Sequence, residues 1–161
     1  MKLLFTIIIL FILYAGFAQE VEIYKDTLSD INNVIYNIKD GKVYKNNSVY
    51  NSDIVLTLRE NRVYRKNSEL ESDIVFTIRD NKTYKSNSFE NDDVIFTLRK
   101  GSIYKGNLKG SRDILCTLKT SKIYNKNLIY PDEIIVNYKG VATREYIMII
   151  IYIINFPNEL R

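Results

Sequence analysis

The sequence predicts an all-β fold of tandem twenty-residue β-hairpins, closed radially, with one apolar helix after the last hairpin. Three observations lead there. First, the stretch Ser72–Asn87, S-D-I-V-F-T-I-R-D-N-K-T-Y-K-S-N, recurs every twenty residues and places tyrosine at Tyr44, Tyr64, Tyr84, Tyr104 and Tyr124. A repeat of this length is one supersecondary unit that buries its apolar face only against its neighbours. Second, each unit holds a run of period-two alternation, a two-residue turn signal and a shorter second run. Third, the ends carry half-units: residues 21–25 match the second strand and 133–139 the first, so the termini together make one more hairpin. Closing the ring in this way removes exposed strand edges; an open superhelix with capped ends is the alternative arrangement of the same units.

Composition narrows the chemistry. A chain of 161 residues, 46% hydrophobic and 26% charged, supports one domain with a real core. Its net charge of +4 comes from 23 basic and 19 acidic side chains interleaved throughout, which argues against a nucleic-acid-binding tail. With no histidine and one cysteine, imidazole acid–base chemistry, His-based metal sites, Cys-rich zinc clusters and internal disulfides are excluded, and no cofactor is implied.

The chain begins with residues 1–18, which read as a signal peptide. Lys2 supplies the positive start, Leu3–Tyr14 the apolar run, and Gly16-Phe17-Ala18 the small residues before a cut at Gln19. A buried strand or an uncleaved anchor is the other reading, although the run is short for a membrane span. Export to the periplasm, the medium or the cell surface follows, with no transmembrane span in the mature chain. Cys116 shares a column with Leu56, Phe76 and Phe96, so it reads as a small buried hydrophobe.

Residues 19–140 form the repeat domain, with units near 33–52, 53–72, 73–92, 93–112 and 113–132. The first strand runs Asp53–Arg59, with equivalents beginning at Asp73, Asp93 and Asp113. The turns are Asp40-Gly41, Glu60-Asn61, Asp80-Asn81, Lys100-Gly101 and Thr120-Ser121, mostly with Gly or Asn where positive φ is needed. The second strand is short, as in Arg62–Arg65, and a polar linker follows with Asn47, Asn67, Asn87, Asn107 or Asn127 available for left-handed geometry. A two-residue turn sets Leu58 opposite Val63 and Thr57 opposite Tyr64. That register predicts a core face of Ile54, Leu56, Leu58 and Val63, and an outer face of Val55, Thr57 and Tyr64. Residues 141–161 hold the apolar run Tyr146–Ile154, too short to span a membrane. Its isoleucines favour a strand, whereas Thr143 as N-cap and Glu145 in the first turn favour a helix that fills the ring as a plug or floor. The helix is the expectation, ended by Asn155 and Pro157.

These residues carry a resemblance. Asp53-Ile54-Val55, Asp73-Ile74-Val75, Asp113-Ile114-Leu115, Lys42-Val43-Tyr44-Lys45, Ile103-Tyr104-Lys105-Gly106-Asn107 and Ile123-Tyr124, with the terminal Ala142-Thr143-Arg144-Glu145-Tyr146-Ile147, resemble the β-hairpin repeat proteins of Bacteroidetes called β-flower proteins. The resemblance implies a radial set of hairpins and a bacterial-envelope origin. It brings no assigned activity and no catalytic residues. The chain departs from the pattern by replacing the turn glycine in several repeats and by enriching its tail in isoleucine.

Three rows of side chains are candidates for function. Tyr44, Tyr64, Tyr84, Tyr104 and Tyr124 form an aromatic ladder able to stack on sugar rings, or equally a packing row. Arg59, Arg79 and Arg99, with Lys39 and Lys119 and the facing Lys42, Arg62, Lys82 and Lys122, form a cationic rim suited to phosphate, sulfate or anionic glycans, or to solubility alone. Asp53, Asp73, Asp93 and Asp113 form an acidic row for a cation or for acid–base work, or for bonding the linker backbone. The leading expectation is an exported, non-catalytic envelope module that binds a glycan or another envelope protein through the tyrosine or arginine rows. A purely structural or adhesive repeat protein is the second, and a hydrolase using the aspartates the third.

Overall fold

The computed structural model describes residues 20–25 and 30–160, so the expected signal peptide, 1–18, and the expected cut before Gln19 lie outside the described residues. Twelve antiparallel strands close into a barrel in which each strand pairs with its sequence neighbours and the first pairs with the last. They are β1 (Glu20–Tyr24), β2 (Val34–Lys39), β3 (Lys42–Lys45), β4 (Ile54–Arg59), β5 (Arg62–Arg65), β6 (Ile74–Arg79), β7 (Lys82–Lys85), β8 (Val94–Arg99), β9 (Ser102–Lys105), β10 (Ile114–Lys119), β11 (Lys122–Asn125) and β12 (Ile134–Lys139). All the hairpin turns lie at one mouth and all the linkers at the other. The closing seam sets Ile23 opposite Tyr138 and Tyr24 opposite Asn137, the register that Val63 and Tyr64 have with Leu58 and Thr57. The two terminal half-units therefore make a sixth hairpin, and the open superhelix is not the arrangement adopted.

Each turn is forced by its register. In four of the five, both residues take positive φ, as at Asp40 (51°) with Gly41 (75°) and Asp80 (49°) with Asn81 (65°). This conformation matches the strand twist. The glycine is needed most at Gly41, where a Cβ would lie 2.9 Å from the Leu58 carbonyl oxygen.

A β-bulge at the start of every long strand corrects the predicted core face. Val43 pairs with Leu56 but Tyr44 pairs with Ile54, leaving Val55 as the extra residue. The bulge exchanges the two side chains: Val55 joins Leu56 and Val63 in the interior cluster, while Ile54 is buried outside it, beside Tyr44. The bulge also relocates the left-handed linker residue. It is Asn46, Lys66, Ser86, Gly106 or Lys126, one position before the expected asparagines, with φ of 50–55°. There the Lys66 N–H donates to the Val55 carbonyl (2.8 Å), and the Thr57 hydroxyl donates to the Lys66 carbonyl (2.7 Å). Thr77, Thr97 and Thr117 repeat the second bond. A buried threonine on the outer face thus ties the open end of its hairpin.

The interior is filled by a helix. α1 (Arg144–Asn155) is capped by Thr143, whose hydroxyl accepts the Tyr146 N–H (3.2 Å), and all of Tyr146–Ile153 is buried. The tail is helical despite its isoleucines because every side of it meets apolar barrel wall, which suits a helix apolar all round. The Gly41 N–H donates to the Tyr146 hydroxyl (3.1 Å), which places the helix start at the turn mouth; its end lies at the linker mouth, where Arg65 donates to the Glu159 carbonyl (2.9 Å). A short turn of 3-10 helix, Pro157–Leu160, follows.

Two interior residues break the aliphatic pattern. Cys116 is buried in the column of Leu56, Phe76 and Phe96, and burial pushes its thiol up to about 12. The thiolate is then absent in neutral solution, so the native chain is expected to resist iodoacetamide at about pH 8 and to react fully once denatured; labelling of the native chain would contradict the burial. Thr83 stands where its equivalents are Val43, Val63, Ile103 and Ile123, and its hydroxyl has no hydrogen-bond partner among the described residues. Thr83→Val removes an unsatisfied buried hydroxyl at constant volume and should stabilise the fold by about 1–2 kcal/mol in urea unfolding. An unchanged or lower midpoint would show that the hydroxyl is satisfied.

Candidate functional site

The barrel has two surfaces made by repetition, an outer wall and a turn mouth, and the predicted site residues divide between them. On the wall, each predicted tyrosine faces a threonine of its own hairpin, or Asn37 in the case of Tyr44, and an aliphatic residue of the next. Tyr64, for instance, faces Thr57 on β4 and Ile74 on β6. Tyr44, Tyr84 and Tyr124 are buried there, whereas Tyr64 and Tyr104 are half-buried. Burial, with the nearby Asp40 charge, raises the pKa of the Tyr44 phenol. Tyr24, in the half-unit 21–25, stands one period before Tyr44 and makes a sixth member of the row. Burial and its bond to Glu22 (2.8 Å) push its pKa up to about 12.

One linker position explains the difference among the tyrosines. The linkers fold back over the outer wall, so that Phe89 meets Tyr84 edge-on with ring centroids 6.0 Å apart, and the Arg79 guanidinium lies 5.4 Å from the Phe89 ring. The same position holds Val49 in the unit of the buried Tyr44 and Ile129 in that of the buried Tyr124, but Glu69 and Lys109 in the units of the half-buried tyrosines. Beside Tyr64, Glu69 pairs with Arg59, and a small hollow of about 180 Å³ opens, lined also by Arg62, Glu71 and Ile74. Reading the linkers as polar hid this column, although Val49, Phe89 and Ile129 recur in every second unit, forty residues apart.

The turn mouth carries the cations. Lys39 stands directly opposite Lys42, Arg59 opposite Arg62, Arg79 opposite Lys82, and Lys119 opposite Lys122. Like charges facing across an antiparallel pair are destabilising. Some of this charge is answered locally: Arg59 by Glu69, Arg79 by Asp80 (3.4 Å), and Arg62 by the Asn87 amide oxygen (3.0 Å). Lys39, Lys42, Arg99, Lys119 and Lys122 make no ion pair among the described residues. The crown is interrupted in two hairpins: Arg99 faces Ser102, and on β1 Glu20 faces Lys39 while Glu22 pairs with Lys139 (3.5 Å). The helix N-terminus opens at the same mouth and adds its partial positive charge.

The aspartates are spent within their own linkers. Asp73 and Asp93 each accept from a serine hydroxyl five residues earlier (both 2.5 Å), Asp53 likewise accepts from Ser48, and Asp113 takes the Gly110 N–H (3.1 Å). One aspartate per hairpin spreads the row around the linker mouth, and among the described residues no three acidic or cysteine side chains come together as a metal-binding group. No described helix is long and apolar enough to cross a membrane. The strands have four to six residues, about half the length a membrane-crossing strand needs.

The linker column gives a direct test on the wall. Phe89→Ala removes the ring that covers Tyr84 and seats Arg79, and should cost about 1–2 kcal/mol of stability while raising acrylamide quenching of tyrosine fluorescence. Unchanged stability and quenching would mean that Phe89 covers nothing.

Comparison with known proteins agrees with this architecture. No curated protein and no solved structure matches the chain. A family model described as "6-fold beta flower protein" matches residues 23–152, a span that runs from within β1 through β12 and over most of the central helix. With six hairpins closed around one helix, and most of its length matched, the chain belongs to the 6-fold β-flower protein family.

Proposed function

We propose that this β-flower chain is an exported, non-catalytic module of the bacterial envelope that binds an anionic envelope glycan through the cationic crown at its turn mouth. The observation that carries this reading is the placing of like charges opposite one another in four of the six hairpins. Each such pair costs up to about 1 kcal/mol. The turns need no cation beside them, so the crown weakens the barrel while concentrating positive charge around one opening. A polymer of carboxylate, phosphate or sulfate groups neutralises several of these cations at once and turns the cost into binding energy. Arg59, Arg79 and Arg99 belong to this surface. Of the tyrosines, Tyr64 and Tyr104 are the two whose rings are open enough to touch a bound chain. Export rests on the pattern of residues 1–18.

Burial of Tyr44, Tyr84 and Tyr124 favours a second reading, in which the repeats serve stability and spacing alone. One experiment separates the two. Binding of the chain from Gln19 to heparin, used as a sulfated-glycan probe, is measured against salt for the native protein and for the fourfold variant Lys39→Gln, Lys42→Gln, Lys119→Gln, Lys122→Gln. Crown binding predicts an affinity that falls steeply with salt, is reduced about tenfold or more in the variant and shows a shallower salt slope, while the variant unfolds at the same or a higher urea concentration. No binding by the native chain, or equal binding by the variant, leaves the structural reading in its place.

A further inference from the structure

The linker mouth, at the far end of the helix from the crown, holds a cleft of about 350 Å³ that the repeats do not predict. Its floor is apolar, made by Ile74, Val75 and Ile95. One wall is aromatic. Phe76, Tyr152 and Phe156 form a stack with centroids 4.3 and 4.9 Å apart, and half-buried Phe156 is the end ring of that stack. The rim is polar, with Arg65 and Lys85 as exposed cations and Ser72 and Ser86 as exposed hydroxyls.

The chain already places a carboxylate in this cleft. The turn Pro157–Leu160 folds across the mouth, and Glu159 accepts the Tyr152 hydroxyl while its backbone carbonyl accepts Arg65 Nη1 at 2.9 Å. Burial and the Glu159 charge together raise the Tyr152 pKa, so the phenol keeps its proton to donate. Arg65 and Lys85 against Glu159 leave one positive charge to be matched.

We propose that this cleft is a binding site for a single carboxylate-bearing sugar unit, a uronic acid. The pyranose ring lies against Phe156, its hydroxyls reach Ser72 and Ser86, and its carboxylate meets Arg65 and Lys85. The cleft lies at the lower end of the small-ligand range, about 300–1,000 Å³, which fits one or two sugar rings. A neutral hexose leaves the extra cation unmatched, and an apolar ring leaves the polar rim without partners. Glu159 is an internal competitor, since its carboxylate repels the one that enters. The helix of twelve residues separates this site from the crown by about 18 Å, so the two are independent.

The test is an amide-shift titration of the isotope-labelled chain from Gln19 with glucuronate, alongside glucose and acetate. The site is supported if glucuronate moves the amides of Ser72, Ser86 and Phe156 saturably, with glucose and acetate at least about tenfold weaker. Arg65→Gln should weaken glucuronate about tenfold, and Glu159→Gln, which still accepts from Tyr152, should strengthen it several-fold. The fourfold crown variant should bind glucuronate unchanged, whatever it does to heparin. Shifts confined to the crown, equal responses to glucose and glucuronate, or an Arg65→Gln chain that binds normally would each overturn the assignment. The spectra themselves report whether the variants are folded.

Discussion

The fold depends on a match between the bore of a twelve-stranded ring and the girth of one helix. About eight strands leave an interior that side chains alone can fill; twelve do not. An α-helix with its side chains is about 10–12 Å across, and α1, apolar on every side, occupies the space that six hairpins leave open. The match also explains where the repeats stop repeating. A ring of six is symmetric and a helix is not, so the inner column that meets it reads Tyr36, Leu56, Phe76, Phe96, Cys116 and Val136. In the next column, outside the bore, Thr57, Thr77, Thr97 and Thr117 do not vary, since the bond that ties a hairpin end is a local need, while Asn37 holds the same place and donates to Glu20 instead.

Much of this was legible because most of its causes are local. Turn type follows from two residues, register from the turn, and the helix from Thr143 together with an unbroken apolar run; closure was visible in the two half-units. What the sequence hid lies between units. The bulge at Val55 leaves no mark of its own, since Ile54 and Val55 are equally apolar, and only the neighbouring strand reveals which of them turns inward. The outer linker column was hidden by averaging: a segment such as Ser86–Glu90 is polar in sum, and Phe89 within it acquires meaning only when the linker folds back onto Tyr84. The cleft at the linker mouth draws on β5, β6, β7, β8 and the tail at once, and no single repeat foreshadows it.

Repetition and function are divided between the surfaces. The tyrosine row, the most regular feature of the sequence, lies mostly in the packing between hairpins, so its regularity records a structural demand met six times. The crown is nearly as regular but works against stability, and the proposed binding role rests on that difference. The cleft is the opposite case, a place where the six-fold pattern fails because a helix ends there and the chain folds back over it. Phe156 and Glu159 belong to no repeat, and single-ligand recognition is easier to build from such an exception than from a row of equivalent positions.

The seam between β1 and β12 has a consequence for how the molecule comes into being. A polypeptide is made from its N-terminus, so the strand that closes the ring on one side emerges before the five full hairpins and its partner, ending at Lys139, after them. Until then the hairpins made so far form an arc with two unpaired edges and an empty lumen, and α1 appears later still. Each nascent hairpin can form its own turn as it emerges, but none can bury its inner face. Until β12 is made the repeats are therefore an incomplete arc, open to edge-to-edge joining with other unfinished copies. The arrival of β12 and α1 converts that arc into a closed, filled barrel.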